Sequence, residues 1–269
     1  CNSCQTTETI TDPGSKLEDK NKPEIQITVG TNHWTEFFHS ITFGLFFKDS
    51  QTVEIKAEDE EKLLDGSMVS RLDSVYYYIS DTEIKLEDLE QAAWKKYTNA
   101  FTLDADKKYI VYAKAVDQSK NTTYASSAGM IVDHTAPVMD GISDGQTYCK
   151  KAVFTVKDLS LRSVTDNGAA IDASDGLYTI SGDDKTHTII ATDDCGNTVE
   201  AAIVVTEHHM WQEPVFSWSD SHKSCTADYT CSRDGSHAEQ IKCTVQVLSS
   251  DAACTKAGHV LYKATSVLD

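Results

Sequence analysis

Eight cysteines, at positions 1, 4, 149, 195, 225, 231, 243 and 254, are the most concentrated reactive chemistry in this chain of 269 residues. An even count, with four thiols after residue 224, points to disulfides and an oxidising compartment rather than to redox or metal pairs. Only Cys1 and Cys4 form a C-x-x-C. They stand in a tail of Thr, Asp, Glu and Lys with Pro13 and Gly14, which reads as a linker over residues 1–22 and not as a redox helix. The chain begins at Cys1 with no initiator Met and no apolar signal core, so it is read as a mature form or an excised fragment. A lipid on Cys1 is the weaker alternative to a linker cysteine. Near the other end, Asp234-Gly235 marks a hairpin turn inside Cys225–Val247. Residues whose numbers sum to about 469 then face each other, which places Cys225 opposite Cys243 or its neighbour and leaves Cys231 for Cys254. Cys149 and Cys195 are the two cysteines of the middle segment. A bridge between them would be worth roughly 2–4 kcal/mol, but sandwich topology sets them at opposite poles, so free or intermolecular thiols stand as the alternative. A zinc set of Cys225, Cys231, His237 and Cys243 lacks the C-x2–4-C knuckle, and cross-strand disulfides explain the same cysteines with fewer assumptions.

Oxygen ligands come next. Asp133, Asp158, Asp193 and Asp194 are of the type that takes structural Ca²⁺, and sandwich topology brings their loops towards one end. No fixed loop spacing accompanies them, and aspartates that cap turn amides account for the same residues, so no metal or other cofactor is expected. Carboxylate runs such as Glu58-Asp59-Glu60-Glu61 and Asp183-Asp184 read as solvated loops rather than a glycosidase pair. No nucleophile elbow, zincin motif, P-loop or dinucleotide fingerprint occurs, and no enzyme activity is expected. Ligand stacking is the remaining chemistry: Trp94, Trp211 and the run Tyr76-Tyr77-Tyr78 are candidates for a sugar face. Strand alternation sends Tyr77 to one side and Tyr76 and Tyr78 to the other, and packing on the strand faces is the stronger reading. Asn121-Thr122-Thr123 matches a glycosylation sequon and is expected to be idle.

Composition narrows the partners. With 42 acidic and 24 basic residues the net charge is −18, so a phosphate backbone, which needs clustered cations, is excluded as a partner. No apolar run reaches membrane-spanning length. The acidic surface predicts a soluble monomer.

The elements that must hold these residues are strands. Short alternating runs rich in Val, Ile, Thr and Tyr, broken by Asp, Gly, Asn and Ser, predict an all-β chain. Residues 23–136 give one β-sandwich, with strands expected at Glu24–Val29, Gln51–Ala57, Ser74–Ser80, Lys108–Asp117 and Thr122–Val132. A short amphipathic helix is expected at Ile84–Ala93 and a helical turn at Trp34–Ile41. Asp133-His134-Thr135-Ala136-Pro137 predicts a stiff connector. Residues 137–206 give a second, smaller sandwich, with Asp193-x-x-x-Asn197 repeating the Asp117-x-x-x-Asn121 hairpin of the first. Residues 207–269 give a small Cys-rich β unit that reads as truncated, since Val260–Val267 reads as a strand with no closing partner.

The connector Asp133-x-Thr135-Ala136-Pro137, the hairpin Ala191-Thr192-Asp193-x-x-Gly196-Asn197 and the strand at Ser163-Val164 resemble the tandem bacterial immunoglobulin-like modules of Gram-positive (Firmicutes-type) surface proteins. The first module is similar to the longer fibronectin-III-like type through Ile41–Lys48, Tyr77–Asp81 and Ile110–Asp117, with Ser119-Lys120 where that pattern usually has Ala-Gly. The third, through Trp218-Ser219, Tyr229-Thr230-Cys231 and Ala253-Cys254-Thr255, resembles a short repeat found further along such proteins. The resemblance implies an extracellular stalk or spacer, secreted or cell-wall attached, joined to flanking domains. Its alternatives are an adhesive module for a glycan or host protein, or an accessory region of a secreted glycoside hydrolase or peptidase.

Overall fold

The computed structural model describes residues 19–62, 68–250 and 258–268; the linker through residue 18, and Cys254, lie outside the described residues. The chain divides into two compact units, residues 1–135 with 194–197, and residues 136–193 with 198–269.

The first unit is a β-sandwich. One sheet orders β2 (Asn32–Trp34), β1 (Glu24–Val29), β4 (Gln51–Glu58) and β8 (Phe101–Leu103). The other orders β3 (Phe43–Phe47), β11 (Gly129–Val132), β9 (Lys107–Asp117), β6 (Met68–Ser80) and β5 (Glu60–Lys62), with β10 (Thr122–Ser126) also on β9 and β7 (Lys95–Lys96) on β6. Alternation does what period-two patterning dictates. Ile25, Ile27 and Val29 of β1 and Val53 and Ile55 of β4 meet Val111, Ala113 and Ala115 of β9 in a dry core.

Strand β9 is buried on its outer side as well, where Ile110 and Tyr112 pack under Leu89. Leu89 closes α1 (Leu86–Leu89), which is one turn long where Ile84–Ala93 was expected to be helical. The reason is local. The Ile84 N–H donates to the Tyr112 hydroxyl at 2.8 Å, which holds that end outside the helix. At the other end the Leu89 carbonyl accepts both the Ala92 N–H and the Trp94 indole N–H. The expected helical turn at Trp34–Ile41 is not formed either. Trp34 ends β2, and the following amides go to side chains: Phe38 N–H donates to Ser126 Oγ and Ile41 N–H to Glu83 Oε2, both at 2.8 Å.

The second unit begins with a smaller sandwich. Strands β12 (Val138–Asp140), β14 (Lys151–Lys157) and β17 (Tyr178–Ser181) face β13 (Thr147–Cys149), β19 (Thr198–Thr206), β18 (Lys185–Asp193), β15 (Leu161–Asp166) and β16 (Ala169–Ala170). Phe154, stacked on Tyr178 with centroids 5.3 Å apart, fills its centre with Ile180, Ile189 and Ile203. Beyond it lie a three-stranded sheet of β20 (Val215–Trp218), β21 (Cys225–Thr230) and β22 (Ala238–Lys242), and a two-stranded ribbon of β23 (Thr244–Ser250) and β24 (Val260–Thr265). The hairpin register pairs Thr226 with Lys242 and Ala227 with Ile241, a sum of 468 against the expected 469. The last strand is not unpartnered as expected: β24 pairs antiparallel with β23.

His187 is the most constrained titratable group of this sandwich. Its Nδ1 lies 2.8 Å from Asp166 Oδ2 and its Nε2 3.0 Å from Asp183 Oδ1. Burial opposes its charge, but the two carboxylates outweigh it and raise its pKa above the ordinary histidine value. A raised histidine pKa adds stability that is fully present below the unfolded pKa of about 6.5 and is lost as pH rises through the folded value. Thermal melting is therefore expected to show the second unit losing stability as pH rises above the ordinary histidine value of about 6.5, and His187→Gln is expected to flatten that dependence. An unchanged slope in the variant would contradict this assignment.

Candidate functional site

Three sets of side chains were candidates for chemistry, and each is placed by identifiable elements. In the first, Asp117 ends β9 and is wholly buried. Its Oδ1 accepts the Asn121 N–H at 2.7 Å and its Oδ2 accepts the Asn121 side-chain amide at 2.8 Å. That hairpin is closed by Lys120 at φ +72°, a left-handed residue where the second copy has Gly196 at φ +86°. Asn121 also donates to the Asp19 carbonyl at 3.0 Å. Asn197 makes the corresponding bond to the Asp133 carbonyl at 2.9 Å. The repeat thus extends to the connectors, Asp19-x-x-x-Pro23 and Asp133-x-x-x-Pro137, in which Asp19 Oδ1 accepts from Asn21 N–H and Asp133 Oδ1 from Thr135 N–H.

In the first copy, carboxylate oxygens of Asp19, Asp59 and Asp117 all lie within 4.8 Å of one another. Asp19 is only 7% exposed, and its Oδ2 is buried with no hydrogen-bond partner among the described residues. Three carboxylates gathered this closely favour a hard cation with oxygen ligands. Asp133 and Asp194 belong to the first unit, and Asp158 and Asp193 to the second. Asp133 and Asp193 are buried, and Asp158 Oδ1 accepts the Ser160 N–H at 2.7 Å in a capped turn.

The second set holds sulfur and nitrogen. Cys149 Sγ stands 3.3 Å from Cys231 Sγ and 3.0 Å from His237 Nδ1, and a ring nitrogen of His209 completes a group of four within 4.8 Å. Cys149 ends β13, beside Thr206. Cys231 follows β21 and forms an isolated bridge with Trp211, which brings His209 alongside. The Cys231 thiol is opposed by burial, yet N–H groups of Arg233 and Met210 and the His209 side chain hold it down at about 6. Burial, with Cys231 beside it, pushes the Cys149 thiol up to about 11. Cys149 is therefore placed with Cys231 and not with Cys195, which lies in the hairpin at the far end of β19. Cys225 stands across the hairpin from Cys243, whose N–H donates to the Cys225 carbonyl at 2.9 Å. The zinc set of Cys225, Cys231, His237 and Cys243 is thus not assembled. Half of it is redistributed to Cys149 and His209, which sequence spacing did not connect.

Aromatic residues form the third set. Tyr77 turns inward and stacks on Phe101 with centroids 4.3 Å apart. Tyr78 and Trp94 share the outer face at 6.3 Å, and Lys114 lies over both Trp94 and Tyr76. Trp211 packs on His209 at 4.6 Å. All five are at least partly buried.

No protein-family model and no curated protein matches the chain. Among solved structures, the fibronectin(III)-like modules of Clostridium thermocellum CbhA are 15% identical over 68% of this chain and 98% of theirs, with a TM-score of 0.23. A 1.5-MDa bacterial ice-binding adhesin, in a structure bearing on host cell surface retention, is 9% identical over 72% of this chain and 75% of that one, with a TM-score of 0.20. Neither likeness carries an argument about function.

Proposed function

We propose that the chain is a non-catalytic extracellular array of immunoglobulin-like sandwiches that spaces or presents other domains of a bacterial surface or secreted protein. The observation that carries this reading is the duplicated bond between connector and hairpin, Asn121 to the Asp19 carbonyl and Asn197 to the Asp133 carbonyl. A connector clamped to its hairpin in the same way in both copies suits a stalk, in which each connector has to be held against bending. The set Asp19, Asp59 and Asp117 adds a calcium seat at that clamp, supported by the buried, unpartnered Oδ2 of Asp19.

A second reading, adhesion to a glycan or host protein, has one observation in its favour. Every residue of β20 is exposed, with Val215 at 68% and Phe216 at 44%, and Val247 and Leu261 are exposed at 60% and 55%. Apolar strand surface of this kind marks contact sites. Retention of the purified chain on insoluble polysaccharides, cell-wall material and mucin at physiological salt separates the two. The stalk reading expects no specific retention on any of them. Retention lost on changing Phe216, Trp94, Trp211 or the Tyr76–Tyr78 run would replace it with adhesion.

A further inference from the structure

We propose that Cys149, His209, Cys231 and His237 form a structural zinc site that ties the small three-stranded sheet to the second sandwich. The donors are the kind zinc takes in closed sites, two thiolates and two imidazoles. Zinc bonds of about 2.0–2.3 Å arranged as a tetrahedron set donors roughly 3.3–3.8 Å apart. The sulfur–sulfur and sulfur–nitrogen separations of 3.3 and 3.0 Å reach that spacing with an outward shift of a few tenths of an ångström.

The surroundings point the same way. His237 presents Nδ1 to the group while its Nε2 lies 3.4 Å from Asp234 Oδ2, the carboxylate that orients a metal-bound imidazole. His209 Nδ1 is buried with no hydrogen-bond partner among the described residues, and a ring nitrogen of His209 lies within 4.8 Å of the other three donors. A Cys149–Cys231 disulfide would consume the sulfurs and leave His237 Nδ1 and the neighbouring His209 nitrogen beside an uncharged pair instead of two thiolates.

The fold also needs a staple here. Among the described residues after Glu207, the buried apolar ones are Cys225, Ala227 and Cys231. A sheet with so small a core is stabilised by cross-links rather than by burial. The donors come from both parts it would join: Cys149 from β13 of the sandwich, Cys231 and His237 from the hairpin, and His209 from the segment between them. Arg233 Nη1, donating to Thr206 Oγ1 at 2.9 Å, braces the same junction. Four protein ligands leave no open position for substrate, so the role is structural.

The test is metal analysis of the full chain, produced with zinc and purified under reducing conditions. One zinc per chain is expected to survive dialysis. Cys149→Ser, Cys231→Ser and His237→Ala are each expected to lose it, whereas Cys225→Ala with Cys243→Ala retains it. Cys231→His, a ligand-preserving change, is expected to keep metal even if the serine variant folds poorly. Cobalt in place of zinc is expected to give the visible bands of a tetrahedral site with sulfur ligands. A zinc-free chain, a zinc content indifferent to Cys149→Ser, or a non-reducing peptide map linking Cys149 to Cys231 in the zinc-grown protein would overturn the site.

Discussion

Tyr112→Ala is expected to destabilise the first sandwich by about 3–5 kcal/mol, the range for deleting a large buried ring. Tyr112 is among the largest side chains with no exposed surface, and it packs with Ile110 and Leu89 beneath the one-turn helix. Its ring lies 6.0 Å from that of Phe37. Its hydroxyl accepts the Ile84 N–H, so alanine removes both the packing that seats Leu89 and the bond that fixes the helix start. Tyr112→Phe keeps the ring and orphans one amide, a cost of about 1–3 kcal/mol. Denaturant unfolding of the two variants measures the difference. Near-equal losses would show that the hydroxyl, not the packing, seats the helix.

Asp117→Ala is expected to cost about 2–3 kcal/mol, because it strips a buried acceptor from two donors of Asn121. It also removes one of three carboxylates, so the variant should lose any response to calcium. Saturation at about 100 times the dissociation constant adds about 2.7 kcal/mol to the wild type. For a domain near 100 residues that is a rise of roughly ten degrees or more in melting temperature. Differential calorimetry with and without millimolar Ca²⁺ checks both statements. Equal melting of the wild type in calcium and in chelator would remove calcium from the account while leaving the clamp.

Most of the fold was legible because strands declare themselves locally. Glu24–Val29 and Gln51–Ala57 alternate cleanly, and Asp234-Gly235 fixed the hairpin register to within one position. The helix was over-read because periodicity at Ile84, Leu86, Leu89 and Ala93 reports a buried face and not the backbone competition from Tyr112 and Trp94 that ends the turn. The last strand reads as unpartnered for a similar reason, since its partner β23 is contiguous in sequence with the hairpin and carries no break that sets it apart. The sites were less legible for a different reason. Asp19 stands in what reads as linker, where a carboxylate next to Lys and Asn carries no signal that it will be buried beside Asp59 and Asp117. Cys149 and His209 belong to no spacing motif with Cys231; only the junction of sandwich and hairpin sheet brings them together. The signal available was the parallel itself: Asp19-x-x-x-Pro23 matches Asp133-x-x-x-Pro137 residue for residue in its two fixed positions.

Single-molecule stretching of the chain between its ends tests the stalk claim most directly. The first sandwich spans Glu24–Val132 and the second Val138–Thr206. At roughly 3.5 Å per residue their unfolding releases about 38 and about 24 nm of contour length. The account predicts these as separate force-resisting events, each recovered when tension is relaxed. Extension without resolved force peaks, or one event releasing both lengths together, would contradict a stalk built from independently folded modules.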